Sequence, residues 1–233
     1  MTLKPQQRLF IALDTIDVKS AVDLTEQLNG WVGGVKLGKE FFTANGPEGV
    51  RAVAEKNVPI FLDLKFHDIP NTVAGAVRAS LPLNPFLLDV HASGGPAMMQ
   101  AAADAAAQAV DKRPLMLAIT ILTSLSDDDL LDIGMTGNTE AQVLKLATLA
   151  KNCAMDGVVC SPKEIIPLRQ NLGPDFKLVV PGIRPLWAAA GDQKRITTPK
   201  QAVDDGADYL VIGRPVTSAD NPLNAVRRII EEF

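Results

Sequence analysis

Short apolar runs punctuate the chain at fairly regular intervals, each followed by a stretch with helical spacing or high alanine content. Runs rich in Val, Ile and Leu fall at 9–13, 34–37, 59–64, 86–90, 115–122, 157–160, 177–180 and 209–212. Continuous apolarity over roughly four to eight residues, in place of strict alternation, predicts parallel strands covered on both faces. The intervening segments 21–28, 49–56, 97–110, 141–155, 163–171 and 200–205 suit helices. Eight such strands joined by right-handed crossovers predict an α/β chain folded as a single-domain (β/α)8 TIM barrel over 1–233. A doubly wound open sheet is the competing architecture. The first strand, however, runs into Asp14-Thr15-Ile16-Asp17 with no Gly-rich dinucleotide turn, so nucleotide-cofactor binding loses its usual signature.

Composition narrows the picture without naming a reaction. A chain of 233 residues, 47% hydrophobic, can bury one substantial core. Its 23 basic and 27 acidic residues leave a net charge of −4, which supplies no general cationic field for a nucleic-acid backbone. Any anion must be held locally. No apolar run approaches the ~20 residues that a bilayer crossing needs, and 1–16 shows no secretory pattern, so the expected location is cytoplasmic, with no membrane partner. Cys153 and Cys160 form neither a CxxC pair nor part of a His cluster. Reduced, packed thiols are expected, with no disulfide framework and no metal site.

A barrel of this kind places its chemistry at the carboxyl ends of the strands. The polar residues expected there are Asp14, Lys36, Asp63, Lys65, Asp68, His91, Thr123, Arg184 and Arg214. Period-2 geometry along the third strand points Asp63 and Lys65 the same way, with Leu64 turned outward against the helices. Lys36 on the second strand reaches the same mouth, because Val35 and Leu37 face the opposite side. A buried ion-pair network that merely fixes the barrel's shape is the bland reading. Concentrating these charges carries a large desolvation cost, and chemistry on a charged substrate explains them better.

Anion-binding features fall after the seventh and eighth strands, where such barrels hold phosphate. They are Pro181-Gly182-Ile183-Arg184-Pro185 with Gly191-Asp192-Gln193-Lys194-Arg195, and Ile212-Gly213-Arg214-Pro215. Gly213 permits close backbone approach, Arg214 offers paired charge-assisted hydrogen bonds, and the start of the next helix favours an anion. The stretch 182–198 suits a lid. Other polar residues have plainer readings. His67 and His91 are expected as packed, hydrogen-bonded neighbours of the strand ends, Asp127, Asp128 and Asp129 as a solvated helix start, and 101–110 as a closely packed helix.

Taken in order, Ala12-Leu13-Asp14, Val35-Lys36-Leu37-Gly38, Asp63-Leu64-Lys65 through Asp68-Ile69-Pro70-Asn71-Thr72, Thr123-Ser124, Pro181-Gly182-Ile183-Arg184-Pro185, Gly191-Asp192-Gln193 and Gly213-Arg214 span nearly the whole chain. In these motifs the sequence resembles the bacterial orotidine 5′-phosphate decarboxylases. The resemblance implies cofactor-free decarboxylation of orotidine monophosphate to UMP, a step of pyrimidine synthesis, by a Lys-Asp-Lys-Asp array of Lys36, Asp63, Lys65 and Asp68. It further implies that Asp68, with Ile69 and Thr72, reaches the partner's site in an obligate homodimer. Asp14 and Lys36 are implied at the ribose hydroxyls, Thr123 and Pro181 around the nucleotide, and Arg184, Gln193, Gly213 and Arg214 at the phosphate. One departure from the family pattern is the apolar run Leu186-Trp187-Ala188-Ala189-Ala190, where polar and Gly-containing residues are expected.

The implied chemistry suits these side chains. Loss of CO2 from C6 leaves an in-plane electron pair that the ring π system cannot absorb, so a cation must already stand where the charge grows. Lys65 fits that place and can then protonate the carbon. Two rivals stay open on the sequence alone. One is the magnesium-dependent 3-keto-L-gulonate 6-phosphate decarboxylase type, which shares the Asp-x-Lys-x-x-Asp motif but resembles this chain less at Lys36, where an acidic metal-holding residue is expected. The other is a non-catalytic barrel that binds a phosphate ligand.

Overall fold

The computed structural model describes residues 3–188 and 197–233. Eight parallel strands close into a barrel in chain order: β1 Leu9–Ala12, β2 Gly34–Gly38, β3 Ile60–Phe66, β4 Leu87–His91, β5 Leu115–Ile119, β6 Gly157–Val159, β7 Lys177–Pro181 and β8 Tyr209–Ile212. The ring is completed by pairing of β1 with β8, Phe10 beside Val211. A helix follows each strand on the outside: α1 Val18–Leu28, α2 Lys39–Ala54, α3 Pro70–Ser80, α4 Pro96–Ala106, α5 Thr139–Asn152, α6 Ile165–Leu172, α7 Pro199–Asp205 and α8 Pro222–Ile230. The expected TIM barrel is therefore the observed one.

Alternation along each strand splits the apolar residues into two cores. Leu9, Ile11, Val35, Leu37, Leu62, Leu64, Leu88 and Val90 face outward and pack under the helices. Phe10, Ala12, Phe61, Leu87, Leu117, Val179, Tyr209 and Val211 face inward and fill the barrel. Both faces are buried, which is why the strands read as unbroken apolar runs. At the amino ends of the strands an aromatic floor seals the interior: Phe10 meets Tyr209 edge-on at 5.5 Å and stacks on Phe86 at 6.0 Å. Gly34 makes room for it, since a Cβ there would stand 2.2 Å from the Phe10 ring.

The same end carries two carboxylate staples, placed just before β6 and β8. Asp156 accepts the Met116 amide at 2.7 Å and pairs with Arg113 at 2.8 Å. Asp208 accepts the Leu178 amide at 2.9 Å and pairs with Arg169 at 2.6 Å. Each links neighbouring strands where no chemistry is expected, and conserves backbone pairing by satisfying amides that the ladder leaves over.

Two strand ends depart from the sequence reading. β5 stops at Ile119, short of 122, because the Thr120 hydroxyl takes up the Val159 carbonyl at 3.2 Å. β3 runs past 64 to Phe66, through a register shift against β4 between Leu62 and Phe66. Extra β3 residues are left opposite Asp89, and the chain accommodates them by putting Lys65 at φ 52°. The helix at 97–110 ends earlier, at Ala106, and Val110 is almost wholly exposed. No helix among the described residues is long and apolar enough to cross a membrane.

Candidate active site

β2 and β3 bring three charges together at the carboxyl end of the barrel. The Lys36 ammonium lies 3.3 Å from Asp63 Oδ2 and 3.2 Å from Asp14 Oδ1, and the other Asp63 oxygen receives the Lys65 ammonium. Lys36 and Asp63 are nearly buried, Lys65 is about one quarter exposed, and Asp14 is open to solvent at the rim. Burial pushes the Lys36 ammonium down in pKa, yet the charges of Asp63 and Asp14 outweigh it and the net shift is upward. Burial likewise works against the Asp63 carboxylate. The neighbouring Asp89 carboxyl and the charges of Lys36 and Lys65 prevail, holding its pKa at about 2. Lys36 and Asp63 are thereby both held charged at neutral pH, with the Lys65 ammonium against the second Asp63 oxygen.

The expectation that Asp63 and Lys65 face the same way holds, but not by simple alternation. The bulge and left-handed backbone at Lys65 swing its side chain back over Asp63. Asp89, on the inward parity of β4 with Leu87, fixes that conformation by accepting the Lys65 amide at 2.7 Å. Asp89 was not among the candidate residues. The signal for it was a lone carboxylate inside the apolar run 86–90.

These charges line one wall of a cavity of about 210 Å³. The facing walls are apolar, from Phe61, Ile119, Ile121, Val159 and Val211, with Thr123 and Pro181 at the edge. The space suits one flat heterocycle better than a whole nucleotide, since pockets for complete drug-sized ligands run to roughly 300–1,000 Å³. A second cavity of about 580 Å³ shares the 121–123 wall and extends past Ser161 and Lys163 to Gly182 and Thr197.

The remaining expected residues fall in three places. Gly213 sits beside Ala12 and Asp14, while Arg214 opens the short helix Arg214–Thr217 with its side chain exposed. Arg184 is half-buried and its backbone amide donates to the Thr197 carbonyl at 3.1 Å. Asp68, Ile69 and Thr72 stand exposed at the start of α3. Asp68 accepts the Ile69 amide at 2.6 Å and pairs with no cation among the described residues, so the chain's own row ends at Lys65. Gln193, with 189–192 and 194–195, lies outside the described residues.

The plainer readings are mostly upheld. Ser126 caps Asp127–Asp132, and Asp129 returns the bond to the Ser126 amide. Cys153 and Cys160 are free and buried. The histidines need correction: His67 and His91 stack at 5.2 Å, but among the described residues neither forms a hydrogen bond. Burial first, then His67, Lys39 and Lys65, press His91 down to about 4. The apolar turn Leu186–Ala188 is anchored by Trp187, whose ring lies 4.1 Å beneath the Arg228 guanidinium on α8.

Known proteins with this arrangement can be compared directly. Residues 7–229 match the family described as orotidine 5′-phosphate decarboxylase / HUMPS. A Rhodospirillum rubrum protein named orotidine 5′-phosphate decarboxylase is 53% identical, the match covering 100% of this chain and 96% of the relative. One of the same name from Saccharophagus degradans is 50% identical over 98% of this chain and 96% of its own length. The crystal structure of the Lactobacillus acidophilus orotidine 5′-phosphate decarboxylase superposes with a TM-score of 0.86 at 37% identity, covering 97% of this chain and 98% of that one.

Proposed function

The chain belongs to the orotidine 5′-phosphate decarboxylase / HUMPS family, and we propose that this carboxy-lyase removes CO2 from orotidine 5′-monophosphate with Lys65 as the acid. The observation that carries the reading is the Lys36-Asp63-Lys65 row along one wall of a cavity the size of a pyrimidine.

With the pyrimidine C6 against that wall, the C6–carboxyl bond breaks, CO2 departs and the electron pair stays on C6 in the ring plane. An ammonium fixed beforehand at that carbon stabilises the pair without reorganising, in a cavity whose apolar walls keep the local dielectric low. Lys65 then gives C6 a proton and recovers one from solvent. Asp63 keeps Lys65 charged and aimed, and Lys36 keeps Asp63 ionised while meeting the ribose together with Asp14. Thr123 and Pro181 border the base. Arg184, Gln193, Gly213 and Arg214 are assigned to the phosphate, whose distant binding energy can order the row.

Asp68 is proposed to complete the row in a second copy of the chain. Its exposure beside Ile69, which is 67% exposed, supports a homodimer with shared sites. Two free buried thiols support a cytoplasmic setting. The magnesium-dependent and non-catalytic alternatives draw no support from the relatives, and the Lys36 ammonium stands where a divalent ion would need a carboxylate.

The test is the loss of orotidine 5′-monophosphate absorbance with and without EDTA. Turnover is expected in both, and Lys65→Ala is expected to lower kcat by more than about 1,000-fold while UMP still binds. Near-normal turnover by that variant would remove Lys65 from its role.

A further inference from the structure

Among the described residues, Asp89 is the buried carboxyl beside the site that the reaction above does not use. It is fully buried on the inward face of β4. Oδ1 accepts the Lys65 amide, and Oδ2 is shielded from solvent with no hydrogen-bond partner among the described residues. The Asp63 carboxyl is its neighbour across the β3 bulge, where Asp63, Leu64 and Lys65 stand opposite Asp89. Two carboxylates cannot share a hydrogen bond, whereas a carboxylic acid and a carboxylate can.

We propose that Asp89 is a positioning residue held in the resting site as a neutral carboxylic acid, its Oδ1 pinning the Lys65 backbone and its Oδ2 hydroxyl donating to Asp63. Several observations converge on this state. As an anion, Oδ2 would be an uncompensated buried charge beside a second one, an arrangement that costs several kcal/mol. The charged groups facing it are Asp63 and Lys65; Lys36 stands behind Asp63, His91 with His67 and Lys39 lies two residues further along β4, and β5 opposes it with Leu117 and offers nothing titratable. Both ammonium groups are already engaged by Asp63. Burial, followed by the Asp63 charge, accordingly raises the Asp89 pKa well above the ordinary carboxyl value. One proton thus divides a carboxyl pair into an acid and a base, and the base is the member that touches Lys65.

The device explains the backbone as well. A non-glycine residue at φ 52° is disfavoured, and it persists where surrounding groups over-determine it. Asp89 supplies that constraint through Oδ1. Were it ionised, it would compete with Asp63 for the Lys65 ammonium and draw it down into the barrel floor.

The kinetic part of this inference rests on the proposed decarboxylase reading, whereas the protonation part does not. The intact protein is labelled with ¹³C-carboxyl aspartate and followed by NMR. One aspartate is expected to remain protonated at neutral pH, well above the usual ~3.9, and its signal should vanish in Asp89→Asn. Absence of a protonated aspartate, or its survival in Asp89→Asn, overturns the proposal. For turnover, Asn presents the same acceptor to Lys65 and an N–H donor to Asp63. Asp89→Asn is therefore expected to recover most of the kcat that Asp89→Leu loses, with the acid limb of kcat/KM shifted upward only in the Leu variant. An Asn variant as impaired as Leu would mean that an ionised Asp89 is required. A parent protein without decarboxylase activity would defeat the proposed function and leave the NMR result standing.

Discussion

Lys65 shows how a side chain can reach its expected place by an unexpected route. Parity along β3 puts Asp63 and Lys65 on one face, and they do meet, but through a bulge and a left-handed backbone that no pattern of apolar positions records. His91 was harder to read, because its behaviour depends on neighbours from other strands. Its pKa of about 4 lies below the ~6.5 of an unfolded histidine. The unfolded chain therefore binds the proton first. Stability that His91 allows is complete above about pH 6.5 and is lost as pH falls toward 4. His91→Gln should flatten the dependence of the urea midpoint on pH between these limits, and an unchanged slope would remove His91 as its source. Arg214, exposed at the rim, is proposed to hold the phosphate. On that reading Arg214→Ala is expected to raise KM by at least about tenfold and to lower kcat too, because the distant binding energy would order the site. Steady-state kinetics will show whether both constants move.

Elements were legible where burial dictated sequence, and obscured where one segment served two purposes. The strands stood out because parallel strands covered on both faces must be apolar throughout. α3 did not, since 63–72 drew attention as a run of polar chemistry. Its helical signals lay just beyond, in Pro70 at the first position and in Val73, Ala74 and Val77 on the buried face. α8 was missed for a different reason: at nine residues it is a short terminal stretch, although Ala225, Val226 and Ile229 do form its buried face. The joint between α6, β7 and β8 depends on a residue whose role only the folded chain discloses. The Arg169 guanidinium donates to the carbonyls of Gly173, Phe176 and Gly206 and pairs with Asp208. Arg169→Leu strands those acceptors and leaves a carboxylate short of its partner. A loss of about 3 kcal/mol is expected by urea denaturation, with kcat unaltered because the joint lies at the opposite end from the chemistry.

For the whole molecule, the closed barrel followed from the order of the strands, and the sequence motifs gather at the end where Lys36, Asp63 and Lys65 line a cavity. The assembly could not be read the same way, because Asp68 carries meaning only if another chain stands beside it. Its exposure and its lack of a cationic partner among the described residues make a definite prediction possible. Lys65→Ala and Asp68→Ala should each be nearly inactive alone. Mixed after subunit exchange, they should recover about one quarter of parental activity, since half the dimers are hybrids with one intact site each. No recovery, with exchange verified, would confine each site to a single chain.

The stacked rings of Phe10 and Phe86, with Tyr209 edge-on to both, make the barrel a cup and not a tube. A cup has one doorway. Gas set free at its deep end must slip out past the nucleotide that released it, so entry, chemistry and departure all queue at a single threshold.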